Sequence, residues 1–403
     1  MKAQKVNFAN KAGYELSASL ELPANQLPHT YAIFAHCFTC NKNLNAVQNI
    51  SRALNMGGIA VLRFDFTGLG DSEGDFADTN FTSNVDDLIA AADFLETHYK
   101  APELIIGHSL GGAAVICAGS QIDSIKAITT IAAPADPAHV SHLLGAEIDT
   151  IEQEGVATVS IAGREFKVKK QFLEDVREQN LGDRLKDLRK AILIMHAPQD
   201  QIVPIENAAK LYNQAFHPKS FISLDGADHL LSAKMDSIYA GEMIACWVKR
   251  YINLPEKEKL NVEKQVAVRL GKTGYTTEVM VRKHSLTADE PESVGGNDFG
   301  PSPYELVTAG LGACTAMTIH MYARRKKWPL EEVTVQLNHY KDYAEDFQNP
   351  EDQKSQIDYF DREIELEGDL DDTQKSRLLE IANRCPVHRT LHQSVKVNTT
   401  LKG

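Results

Sequence analysis

An α/β doubly wound sheet followed by a smaller α+β region is the architecture predicted by this chain of 403 residues. Three observations predict it. Short, mainly apolar runs at Tyr31 to Ala35, Ile59 to Phe64, Leu104 to Ile106, Ile125 to Ile131 and Ala191 to Met195 have the composition of strands buried on both faces of a parallel sheet. Helix-length stretches around 45–56, 81–98 and 205–216 stand between some of them, and strands alternating with helices make a doubly wound fold. Beyond residue 262 the period changes, and alternating polar and apolar positions mark antiparallel strands instead.

Length at about 100 to 200 residues per domain implies two or three domains. The net charge of −13 leaves no basic face, which argues against nucleic acid or an anionic membrane as the main partner. Met1-Lys2-Ala3 runs into a polar stretch, and no apolar run has the length of a membrane span. The expectation is a cytoplasmic protein with neither signal peptide nor span. Six cysteines, Cys37, Cys40, Cys117, Cys246, Cys314 and Cys385, are too sparse for a disulfide scaffold, and a reducing compartment would keep most of them as thiols. Cys37 and Cys40 form a C-x-x-C without the second pair that zinc needs, and nothing in the chain calls for a metal or an organic cofactor.

Taken in order, alternation at Val6 to Phe8 and Leu16 to Leu20 predicts two opening antiparallel strands. The strand at Leu104 to Ile106 then turns into a helix through Gly107-His108-Ser109-Leu110-Gly111, a G-x-S-x-G in which two glycines allow a tight bend and lift a serine hydroxyl clear of the sheet. Its bland alternative is a small-residue turn before a core helix. Ligands of such sheets bind at the C-terminal ends of strands. Two more strand ends carry suitable groups: Asp200, after the strand ending at Met195, and His229, after a short strand at Ser220 to Ser223. Singly, these read as a turn carboxylate and a loop histidine. Asp225 and Asp228 stand too close to His229 in sequence to reach it from a separate strand end.

Serine, aspartate and histidine in this chain order resemble the triad of the α/β hydrolases, and the resemblance spans residues 1–255. It implies that Ser109 is the nucleophile, His229 the base and Asp200 its orienting acid. It further implies an oxyanion hole from the backbone N–H groups of Leu110 and of Phe38, in the loop His36-Cys37-Phe38, where Cys37 replaces the family's usual glycine. In Arg63-Phe-Asp65-Phe-Thr-Gly68-Leu-Gly70-Asp-Ser-Glu-Gly74 the glycines read as turn formers and Asp65 as structural. The strand rhythm breaks at about 134–188, with a hairpin hint at 163–168 and a helix at 170–177. A cap over the pocket is the expected result.

Residues 256–261 are charged and proline-led and read as a linker, which leaves 262–403 as a second domain. Strands are expected at Val266 to Leu270, Tyr275 to Val281, Val333 to Leu337 and Ile364 to Leu366. Ser302-Pro303-Tyr304-Glu305 is a capping box with proline at N1, and the helix it opens has no charged residue from Leu306 to Met321. That composition predicts burial on nearly all sides. Cys314 lies in this helix, and Cys385 opens Cys385-Pro-Val-His388-Arg389 after a short helix at 376–384.

The runs Gly300 to Cys314 and Arg384 to His388 resemble the OsmC/Ohr family of thiol peroxidases over about 262–403. The resemblance implies an intertwined homodimer in which Cys314 is oxidised by an organic hydroperoxide, Cys385 resolves it, and an external thiol reductant restores both. The family's glutamate position holds Tyr304. Glu305 follows one residue later, turned about 100° around the helix, and is open to either a capping or a catalytic role. Arg269, Arg282, Arg384 and Arg389 are the candidates for the activating arginine. The whole then reads as a hydrolase acting on a small-molecule ester, fused to a domain that either reduces hydroperoxides or serves only for binding and dimerisation.

Overall fold

A computed structural model describes residues 3–23, 28–37, 39–145, 147–161, 163–252, 260–272, 274–343 and 356–401. Residues 1–259 with 271–273 form one compact unit, and 260–270 with 274–403 form the other. Most of the stretch read as a linker, 256–259, lies outside the described residues.

The first unit is built on eight strands: β1 (Gln4–Ala9), β2 (Glu15–Glu21), β3 (Thr30–Ala35), β4 (Ile59–Phe64), β5 (Leu104–His108), β6 (Ala127–Ile131), β9 (Ala191–His196) and β10 (Lys219–Ser223). They lie in the order β1-β2-β4-β3-β5-β6-β9-β10. From β4 to β10 every pairing is parallel, and the β1–β2 hairpin joins antiparallel to β4. Strands β3 to β6 and β9 are buried at every position, which is why their sequences lack alternation. One face is covered by α2 (Phe81–His98), α3 (Leu110–Gln121) and α7 (Glu206–Gln214), whose apolar residues join one core cluster. The other face is covered by α1 (Asn45–Met56) and α8 (Lys234–Val248). This is the α/β-hydrolase sheet.

Between β6 and β9 comes the interruption expected as a cap. It holds a 3₁₀ turn at Pro137–Leu144, α4 (Glu147–Glu154), the hairpin β7 (Val156–Ile161) and β8 (Arg164–Lys169), α5 (Lys170–Glu178) and α6 (Leu181–Asp187). The hairpin begins earlier than the sequence suggested, because Val156 to Ile161 alternates exposed and buried positions on its own.

The second unit carries a three-stranded sheet of β11 (Val266–Leu270), β12 (Thr277–Val281) and β13 (His284–Ala288), and a two-stranded sheet of β14 (Leu330–Tyr343) and β15 (Gln356–Gly368). Helices α9 (Pro303–Lys326), α10 (Asp372–Ala382) and α11 (Pro386–Leu391) complete this α+β, OsmC-like region. Ser302 and Glu305 cap α9 reciprocally, as the capping box predicts. Its length and composition alone would let α9 cross a membrane, yet one side of it packs within this unit through Leu311, Thr315, Ile319 and Ala323.

One expectation is overturned here. Helix α9 is not buried on nearly all sides: Met317 is 65% and Met321 70% exposed, with Tyr304 and Val307 also open. The two small sheets and two short helices of this unit cover only one stripe of it. An uncharged helix says that its surface is to be covered, without saying by which chain.

Candidate active site

At the end of β5 the chain reverses into α3 through Ser109, whose φ of 56° and ψ of −127° no side chain adopts without strain. Such a conformation costs on the order of 1–3 kcal/mol and persists only where its surroundings impose it. The flanking glycines are part of those surroundings. A Cβ on Gly107 would collide with the Gly111 carbonyl, and one on Gly111 would collide with the His36 carbonyl. The first turn of α3 is therefore pressed against the end of β3. The Ser109 N–H is tied to the Ile131 carbonyl at 2.8 Å, so the bend is fixed to the next strand as well.

The structure brings Ser109, Asp200 and His229 together. Ser109 Oγ lies 3.0 Å from His229 Nε2, and His229 Nδ1 lies 2.8 Å from Asp200 Oδ2. Asp200 Oδ1 accepts from the N–H groups of Ile202, at 2.8 Å, and Val203, at 2.9 Å. Burial pushes the Asp200 carboxyl up, but the bonds from His229, Val203 and Ile202 outweigh it and hold the group below the usual carboxylate range. An acceptor-only carboxylate then requires the hydrogen on His229 Nδ1, which leaves Nε2 as the base facing the serine. Asp225 instead accepts from the Ser223 hydroxyl, and Asp228 from the Ser232 N–H, so neither serves His229.

Leu110 supplies the first N–H of α3, one of those that a helix leaves without an internal partner, and it is aimed from the bend that carries Ser109. Phe38, the other residue expected to line an oxyanion hole, lies outside the described residues. Its neighbours are held by a network the sequence partly signalled through Asp65. Lys42 Nζ meets Asp65 Oδ2 at 2.5 Å and Asp71 Oδ2 at 2.8 Å, and the Lys42 N–H donates to Asp65 Oδ1 at 2.6 Å. From the cap, Arg164 donates to the Thr39 carbonyl. Cys37 and Cys40 are joined as a disulfide, whereas most of the six cysteines were expected to remain thiols. A turn closed by the Cys40 N–H on the Cys37 carbonyl brings their Cα atoms to 5.2 Å, within bridging reach.

Three buried histidines surround this site, and none was assigned a role from the sequence. His36 Nδ1 is 2.8 Å from the Cys37 carbonyl, His108 Nε2 is 2.7 Å from the His229 carbonyl, and His196 Nε2 is 2.7 Å from the Val203 carbonyl. Burial lowers the pKa of all three, that of His108 to about 3. The available signal was their position: each is the last residue of a strand in this sheet or the one after it.

In the second unit Cys314 is half-buried, Cys385 is buried, and both are free thiols. Cys385 Sγ accepts from the His388 N–H at 3.3 Å and lies 3.8 Å from the hydroxyl of Thr315, the neighbour of Cys314. Glu305 receives the Ser302 N–H at 2.7 Å, and the bonds from Ser302 hold its carboxyl below the usual range. The structure thus gives Glu305 the capping role. Arg269 pairs with Glu278 at 2.7 Å, and Arg282 sits in a turn with φ of 55°. The guanidinium that reaches the cysteine neighbourhood is Arg362, which donates to Thr315 Oγ1 at 2.8 Å and Asn383 Oδ1 at 2.6 Å. It stands on the face of β15 shared by Phe360, Ile364 and Leu366. Among the described residues no cluster of His, Cys, Asp or Glu could hold a metal ion.

Residues 32–238 match the family model described as alpha/beta hydrolase family, and residues 295–400 match that described as OsmC-like protein. The chain is 52% identical to the esterase domain of a Rhodothermus marinus protein, covering 63% of this chain and 100% of that one with a TM-score of 0.54. It is 25% identical over 198 residues to mouse mitochondrial palmitoyl-protein thioesterase ABHD10, a stretch that spans 65% of that relative's length and 47% of this chain. Est1E from Butyrivibrio proteoclasticus, solved with ferulic acid, shares the fold at 24% identity and a TM-score of 0.54, covering 60% of this chain and 98% of its own.

Proposed function

The chain belongs to the alpha/beta hydrolase family, and from that premise we propose that it is a serine ester hydrolase working through an acyl-enzyme. The observation that carries this reading is the unbroken relay from Ser109 Oγ to His229 at 3.0 Å and from His229 to Asp200 at 2.8 Å. His229 Nε2 takes the serine proton as Oγ attacks the acyl carbonyl, and Asp200 stabilises the imidazolium that forms. The oxyanion is met by the N–H groups of Leu110 and Phe38. Collapse expels the alcohol, which takes the proton from His229. Water, deprotonated by the same imidazole, then releases the acid. The esterase character of the Rhodothermus domain supports oxygen esters as the substrate class.

For the OsmC-like unit the reading is a thiol peroxidase that also makes the chain a homodimer. The Cys314 thiolate attacks the outer oxygen of a hydroperoxide, leaving a sulfenic acid and an alcohol. Cys385 displaces water from that sulfur to form a disulfide, and an external dithiol reduces it. Arg362 and Thr315 support a role for Cys385. The exposed apolar residues of α9 support the dimer. A second reading, binding and dimerisation without peroxidase chemistry, is favoured by the commitment of Glu305 to the helix cap.

Labelling the intact protein with a fluorophosphonate and with a sulfenic-acid probe after hydroperoxide treatment tests both. A phosphonate adduct at Ser109 and a sulfenic adduct at Cys314 are expected. No adduct at Ser109, together with no turnover of p-nitrophenyl acetate, removes the hydrolase reading. Cumene hydroperoxide consumed equally by wild type and Cys314→Ser selects the non-peroxidatic alternative.

A further inference from the structure

We infer that His108 is a positioning residue that holds the general base at working distance from the nucleophile. The inference rests on the serine-hydrolase reading above and concerns how that site is kept together.

His108 ends β5, and its side chain is buried, with the residue 4% exposed. Its Nε2 lies 2.7 Å from the backbone carbonyl oxygen of His229, 121 positions further along the chain. A carbonyl can only accept, so Nε2 carries the hydrogen and donates it. The next residue, Ser109, meets the side chain of that same His229 at 3.0 Å. Two consecutive residues thus grip one histidine, His108 by its main chain and Ser109 by its ring.

Among the described residues, the other hydrogen bonds of the loop that carries His229 run within the loop or toward the acid, and apolar packing through Ala227 and Leu231 joins it to the core shared with Leu104 and Ile106. Its internal bonds are local: Ala227 N–H to the Leu224 carbonyl, Leu231 N–H to the Asp228 carbonyl and Ser232 N–H to the Asp228 carboxylate. Its entry is fastened toward the acid's side, by Leu224 N–H on the His196 carbonyl at 2.9 Å and Gly226 N–H on Gln199 Oε1 at 3.1 Å. Asp200 fixes the imidazole from that same side. His108 supplies the tie from the strand that bears the nucleophile. A displacement of about 1 Å at a reacting group can cost 10²-fold in rate, so a strut between nucleophile and base is worth having. Burial keeps the imidazole neutral, so the strut persists across the pH range in which an esterase operates.

The test uses the full-length protein with His108→Leu, which fills the space without a donor, and His108→Gln, whose side-chain amide restores an N–H. With p-nitrophenyl acetate, His108→Leu should lower kcat by roughly 10- to 100-fold with KM within about twofold, and His108→Gln should recover most of the loss. Urea midpoints of both variants show whether either is merely unfolded. The far-downfield proton resonance of the His229–Asp200 bond gives a readout that needs no turnover, and it should broaden or shift in His108→Leu and return in His108→Gln. Equal impairment of the two variants would overturn the inference in favour of packing alone, as would unchanged kcat and resonance in His108→Leu. Turnover that survives Ser109→Ala would instead dismiss the hydrolase reading, and the resonance would then judge the role of His108 by itself.

Discussion

The two units of this chain handle their apolar surface in opposite ways. In the first, the strands β3 to β6 are sealed between helices, and the triad closes through contacts made wholly within that unit. In the second, one buried cluster of Ile319, Ala323, Leu370, Leu378 and Ala382 anchors a 24-residue helix whose opposite side stands open at Met317 and Met321. A catalytic centre that depends on distances within about 0.5 Å belongs on elements braced on every side. A helix with one apolar stripe unmatched by its own unit is what association between copies uses. The difference teaches that the first unit covers the apolar faces around its site with its own helices, whereas the second leaves one side of its long helix exposed.

The largest effect expected is at the centre where Ser109, His229 and Asp200 meet. Ser109→Ala should lower esterase kcat by roughly 10⁴-fold or more, since removing the nucleophile leaves only the oxyanion donors and binding. Steady-state hydrolysis of p-nitrophenyl acetate measures this, and hydroperoxide consumption by the same variant should stay within twofold. Linked losses would break the comparison, because the units would then share one activity.

A smaller effect is expected at the exposed side of α9. Met321→Glu places a charge on the open side of α9 without removing any contact inside the buried cluster. The sedimentation coefficient of the full chain should fall from dimer to monomer, with dimer dissociation strengthened by at least about tenfold for a charge buried without a partner. Esterase kcat/KM should not move. A chain that is monomeric before the substitution would remove the dimer reading.

What could be read from the sequence follows the range of the forces involved. Gly107, Ser109 and Gly111 are legible because a strained turn is a local steric matter, and Asp200 and His229 because strand ends can be located from apolar runs. Arg362 was not, since its meaning depends on which face of β15 turns inward. That face is set by pairing with β14 across residues far away in sequence, in a strand so rich in acids that it reads as solvated surface. Strand β13 was missed for a similar reason, as His284 to Thr287 is exposed and lacks an apolar pattern. The exposure of α9 was invisible because an uncharged helix looks the same whether its own unit or another chain covers it.

Acid provides the subtlest test of the contrast, because the first unit holds His36, His108 and His196 neutral by burial. Their unfolded value is 6.5, so below that pH the unfolded chain binds protons that the folded site refuses. This contribution to stability is complete above pH 6.5 and is lost progressively as pH falls toward the folded values, about 3 for His108. At pH 5.5 His108 should cost about 1 kcal/mol relative to pH 7.5, and His36 and His196 act in the same direction. Glu21 and Asp87, whose carboxyls burial raises, act in the opposite direction and blunt the loss as the carboxylate range is approached. In the second unit His388 is lowered by partial burial and by its neighbours His392 and Arg362, and its exposure shrinks any effect. The chain's two tryptophans, Trp247 and Trp328, fall one in each unit, so Trp→Phe variants isolate each signal in urea titrations. The Trp247 midpoint should drop between pH 7.5 and 5.5 while the Trp328 midpoint holds. Equal shifts would mean that the neutral histidines are not what sets the acid sensitivity of the hydrolase unit.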